Sequence, residues 1–183
     1  PLARGMREFF RLLESRLELS RPLTIFLAGG MAVHLYTSTR VTTDIDAEFS
    51  ERVLIPADLF VQVELPDGSR EDIYLDSNFN TTLGLLHEHY REDSVPVDLG
   101  LKNLTLRVLS PVDLAVSKIG RLADVDKEDI RDLVRAGLTD AAEIEARAEA
   151  AVHHYIGKTS WLRLNIRDAL QIARSAERER ATG

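Results

Sequence analysis

Gly29 and Gly30 are followed, thirteen residues later, by Asp44-Ile45-Asp46. In an extended strand alternate side chains share a face, so Asp44 and Asp46 project together while Ile45 points the other way. Two carboxylates so placed are hard oxygen donors that suit a divalent cation such as Mg²⁺ or Mn²⁺. Glycines between a strand and a helix let a ligand approach the backbone closely, and the N–H groups of the helix start attract phosphate oxygens. A metal plus a polyphosphate is therefore the chemistry this spacing suits. The structural alternatives are a tight turn for the glycines and the polar face of an edge strand for the acids.

These residues need elements to hold them. Thr24-Ile25-Phe26-Leu27 reads as a buried strand ended by the glycines, Met31 to Tyr36 as the helix after them, and Val41 to Phe49 as the alternating strand that carries the acids. Upstream, Arg4 to Leu19 is an amphipathic helix, broken at Ser20-Arg21-Pro22. Downstream, Leu59 to Leu65 and Asp72 to Leu75 flank the turn Pro66-Asp67-Gly68-Ser69, and Val95 to Leu99 and Leu104 to Leu109 suggest a second hairpin. Thr81 to Tyr90 is predicted helical. From Ser110 the pattern is helical throughout: Ser110 as N-cap, Pro111 first and Asp113 third make a start signal. Asp126 with Asp129 marks a second start, Gly137 a stop with a restart at Thr139-Asp140, and Trp161 to Arg178 the last helix. The expected class is α+β: a mixed β-sheet with flanking helices (1–109) and a helical C-terminal part (110–183) packed into one unit.

The 183 residues include no cysteine, which excludes disulfides and thiolate metal sites. No apolar run is long enough to span a membrane, the first residues lack a signal-peptide pattern, and a cytoplasmic location is expected. The net charge of −7 is unevenly spread. Between Asp44 and Asp98 fourteen carboxylates meet only Arg52, Arg70 and Arg91, whereas Lys158, Arg163, Arg167, Arg174, Arg178 and Arg180 dominate the C-terminal end. An acidic centre repels nucleic acid and a basic tail attracts it, although such a tail is equally an ordinary solvated helix.

Gly-Gly, the spacer and Asp-x-Asp, with Ser110-Pro111-Val112-Asp113-Leu114-Ala115-Val116-Ser117-Lys118 and Asp126-Lys127-Glu128-Asp129-Ile130, resemble the nucleotidyltransferase superfamily over roughly residues 22 to 135. The resemblance is closest to its small bacterial branch of DUF6036 and AbiEii/MenT-like proteins, often toxins of toxin–antitoxin pairs. It implies that Asp44 and Asp46 bind Mg²⁺ or Mn²⁺, that Gly29 and Gly30 receive an NTP, and that Lys118 reaches the phosphates. A third carboxylate on a neighbouring strand would act as base: Asp98 is first choice, with Asp76 its competitor, and either fits a strand-end turn. Lys118 also fits a snorkelling surface lysine. Asp126 and Asp129 either begin a helix or anchor Lys118 in a nucleotide pocket. Arg40, Thr42 and Thr43 are candidates to contact phosphate or orient the strand. His34 reads as a satisfied, partly buried histidine, and the five histidines form no metal pattern.

The resemblance implies an acceptor RNA (a tRNA 3′ end) or protein, with a cognate antitoxin as a further partner. A small-molecule acceptor, held by the acidic middle of the chain, and a non-catalytic binding role are the alternatives.

Overall fold

The apolar run Leu23–Ala28 forms β1, an interior strand of a six-stranded sheet in a computed structural model that describes residues 1–81, 84–157 and 159–182. Two compact units divide the chain: Pro1–Phe79 with Ser94–Val108, and Asn80–Asp93 with Leu109–Gly183.

The first unit holds the whole sheet. Its remaining strands are β2 (Asp44–Phe49), β3 (Phe60–Glu64), β4 (Arg70–Leu75), β5 (Val95–Val97) and β6 (Leu104–Val108), in the order β3-β4-β2-β1-β6-β5. β1 runs antiparallel to β2 and parallel to β6, while β2 is parallel to β4; both expected hairpins, β3–β4 and β5–β6, are present. Helix α1 (Leu2–Arg16) packs on β3 and β4, burying Met6, Phe9, Phe10 and Leu13 completely or nearly so. Each such side chain contributes about 1.5–3 kcal/mol of apolar burial. Ile45 and Ala47 are the buried positions of β2 and Ile73 that of β4, with both isoleucines at 0% exposure. Helix α2 (Gly29–Thr37) packs against β1 and β2.

In the second unit α3 (Pro111–Ile119), α4 (Asp124–Arg135), α5 (Ala141–His154) and α6 (Ser160–Thr182) pack against one another. Ser110 caps α3 by accepting the Asp113 N–H, and Asp140 caps α5 through the Glu143 N–H, as their positions in the sequence suggest. Gly137, at φ +72°, ends α4 with the Leu138 N–H returning to the Leu133 carbonyl.

Four expectations change. The strand carrying the acids begins at Asp44, because 41–43 pair with no residue of a neighbouring strand, although the Thr43 carbonyl accepts the Tyr74 N–H at 3.2 Å. The glycines are the first residues of α2 instead of a turn before it. The helix expected over Thr81–Tyr90 is absent among the described residues of that stretch, which are turns and irregular chain; Thr82 and Leu83 lie outside them. Asp126 is not an N-cap: α4 starts two residues earlier, with Ala123 as the cap. No helix among the described residues is long and apolar enough to cross a membrane.

Candidate active site

Ala28, the last residue of β1, pairs with Asp46, and the chain then turns directly into α2. That turn needs Gly29 twice over. Its φ is +63°, where L side chains are strained, and a Cβ there would lie 1.7 Å from Asp46 Oδ2. The helix start is thus pressed against a carboxylate, leaving room for backbone and nothing more. At Gly30 a Cβ would meet Arg40 Nε and Thr42 Cγ2, each at 3.1 Å.

Asp44 and Asp46 share one face of β2, as their spacing requires, and both are half-buried. Asp44 accepts a hydrogen bond from Thr42 Oγ1. His34 Nδ1 lies 2.7 Å from the Arg40 carbonyl, so this half-buried histidine is satisfied by backbone.

The two competing third carboxylates part company. Register brings Asp76 beside Asp46: Asp44 pairs with Tyr74 and Ile45 with Leu75, and the Asp76 N–H continues the ladder onto the Ile45 carbonyl at 2.9 Å. Adjacent strands are about 4.8 Å apart, so the Asp46 and Asp76 backbones are immediate neighbours. Asp76 Oδ1 accepts the Asn78 N–H, and its other oxygen has no partner among the described residues.

Asp98, the first choice from sequence, is not brought to the pair. It follows β5, whose Val97 is level with Leu106 and hence with Ile25, towards the start of β1 and away from Ala28. Relative to Asp46 that is about 13 Å along the strands and about 14 Å across three strand spacings. Exposed Asp98 instead closes the hairpin by accepting the Gly100 N–H at 2.8 Å. Flanking apolar residues marked it as a strand acid, but strand direction put it at the wrong end.

The second unit gathers the other residues. Lys118 is buried, with Nζ 2.7 Å from Asp129 Oδ2 and 3.8 Å from Asp126 Oδ1. Arg121 donates to both oxygens of Asp126, at 2.7 and 2.8 Å, and the Ala123 N–H adds a third bond. Burial alone would raise the Asp126 pKa; the Arg121 bonds, the Ala123 N–H and the nearby Lys118 charge outweigh it and hold the carboxyl below its usual range. Asp126 and Asp129 therefore anchor Lys118, which is no snorkelling lysine.

Whether a divalent ion suits the first unit follows from its donors. Asp44 and Asp46 offer oxygen donors from one face of β2. No three His, Cys, Asp or Glu among the described residues come together to hold a metal ion. Mg²⁺ does not need three such side chains: it is held by one or two carboxylates, waters and substrate phosphates. The donor set fits.

A mixed open sheet with a glycine-opened helix against an Asp-x-Asp strand is a nucleotidyltransferase-like arrangement. The chain belongs to the family described as "Nucleotidyltransferase of unknown function (DUF6036)", whose model matches residues 6–173 and so takes in every candidate site residue. No curated protein and no solved structure matches it.

Proposed function

We propose that the chain moves a nucleoside monophosphate from an NTP to an acceptor hydroxyl, with Asp44 and Asp46 holding Mg²⁺ or Mn²⁺. One observation carries the reading: a helix start whose first residue tolerates no side chain, set against a metal-binding type of carboxylate pair. When bound, the ion would neutralise the triphosphate and lower the charge barrier to attack. The Gly29 and Gly30 backbone at the start of α2 orients the phosphates. Asp76 takes the proton of the acceptor hydroxyl. That oxygen bonds to the α-phosphorus as the bond to the β-phosphate oxygen breaks, and pyrophosphate leaves with the electron pair. Lys118 is assigned to the phosphates by the family resemblance alone; within its own unit it is held by Asp126 and Asp129.

For the acceptor, the resemblance supports RNA, such as a tRNA 3′ end, or protein, with the chain a cytoplasmic toxin paired with an antitoxin. A second reading, a small-molecule acceptor, draws on the state of the basic tail. Arg163 pairs with Glu149 at 3.0 Å, Arg174 with Glu145 at 3.3 Å, and Arg180 donates to the Val134 carbonyl. Those cations are engaged by α4 and α5 and offer less to a phosphate backbone.

The test is incubation with each α-³²P-labelled NTP, Mg²⁺ or Mn²⁺, and total bacterial RNA and protein, beside Asp44→Ala/Asp46→Ala. Label in RNA or a protein band, lost in the control, supports the first acceptor class. Label only in small molecules supports the second. Absence of both label and metal-dependent NTP binding overturns the reading.

A further inference from the structure

Beside Asp76 a cleft of about 760 Å³ opens wholly within the first unit. Phe49, Phe60, Tyr74 and Phe79 supply its aromatic lining, Asp72 and Asp76 its charge, and among the described residues no Lys, Arg or His contributes to the wall. Phe60 and Tyr74 pair across β3 and β4 and are 52% and 46% exposed, unusual for large rings on a sheet. By register Tyr74, Asp72 and Phe60 share the sheet face of Asp44 and Asp46, while Ala47 and Phe49 line the cleft from the other face of β2; Asp76, whose backbone neighbours Asp46, links the cleft to the acid pair.

Two carboxylates without a balancing cation repel a phosphate backbone, and aromatic faces carry a negative quadrupole that attracts cations. The volume is that of a small-molecule pocket. We propose that this cleft is the acceptor subsite and that it selects a small organic cation with an aromatic or apolar body and a hydroxyl. The assignment rests on the nucleotidyltransferase reading: the body lies on Tyr74 and Phe60, the cationic group faces Asp72, and the hydroxyl is presented to Asp76.

Three probes of matched shape and different charge test it: tyramine (cation), 4-ethylphenol (neutral) and 3-(4-hydroxyphenyl)propionate (anion). Each is titrated into the ¹⁵N-labelled full chain at pH 7, with metal-dependent NTP binding measured on the same preparation. Tyramine is expected to shift amides of the cleft wall and to bind about fivefold or more tighter than 4-ethylphenol, with the anion weakest. Asp72→Asn, an exposed and nearly isosteric change, should cost tyramine about three- to fivefold and leave 4-ethylphenol unchanged. Tyr74→Ala should weaken both.

Equal binding of the three probes, or shifts confined to other surfaces, overturns the proposal. NTP binding without tyramine binding removes the subsite and leaves the nucleotidyltransferase reading standing. Tyramine binding without NTP binding overturns that reading, and the acceptor role with it.

Discussion

Asp126 in the second unit accepts two hydrogen bonds from Arg121 and one from the Ala123 N–H and lies near Lys118, whereas Asp44 in the first is hydrogen-bonded by the Thr42 hydroxyl. Exposure differs as well: Asp126 and Asp129 are at 1% and 2%, while Asp44 and Asp46 are half-buried. Asp113 repeats the pattern of the second unit, at 0% exposure between the Ser110 hydroxyl and Arg147. A buried carboxylate must be matched inside the protein, because desolvating an unpaired charge costs several kcal/mol. A half-buried carboxylate keeps part of its hydration and is under no such requirement. The same residue type thus holds a lysine in one unit and, in the function proposed above, would hold a divalent ion in the other.

Substitutions separate the two kinds of acid. Asp44→Asn should lower labelled nucleotidyl transfer on the order of 10³-fold with unchanged thermal unfolding, since only ligand binding is lost. If melting falls instead, Asp44 is structural and the contrast disappears. Lys118→Met should behave in the opposite sense, lowering unfolding free energy in denaturant by about 3–5 kcal/mol because it leaves Asp129 buried without its cation. A fully stable variant would show that the cluster is not structural.

Asp76→Asn should reduce transfer about 10²-fold and Asp98→Asn should leave it unchanged, which sharpens the contrast within the sheet. The reverse result would return the base to the far end of β5. Gly29→Ala combines strain and a clash with Asp46 Oδ2, and should cost about 1–2 kcal/mol of stability along with NTP binding by calorimetry.

The smallest effect concerns pH. The folded-state pKa of Asp126 is depressed, so its contribution to stability is present above the unfolded carboxyl value of about 3.9 and is lost as pH falls through the lower folded value. Acid unfolding curves of the wild type and Asp126→Asn should therefore converge below about pH 4. Curves that stay parallel to lower pH would show that Asp126 gains nothing from its partners.

The spacing of Gly29, Gly30, Asp44 and Asp46 was enough to expect strand, helix and an acid pair on one face, because strand periodicity is a local property. Caps at Ser110 and Asp140 were equally legible, since a cap needs only its own side chain and a backbone N–H three residues on. Thr81–Tyr90 misled because apolar spacing suggested a helix where the described residues form turns.

What the chain determined by itself is what neighbours in sequence can settle: the strand–glycine–helix unit, the shared face of Asp44 and Asp46, and the helical stretch after Ser110. Tertiary structure decided which acids meet. The parallel pairing of β2 with β4 brought Asp76 to Asp46, and the direction of β5 carried Asp98 away. The folding of α4 onto α3 closed Asp126 and Asp129 around Lys118. Strand order, register and helix packing are set by long-range burial, and no local pattern encodes them uniquely.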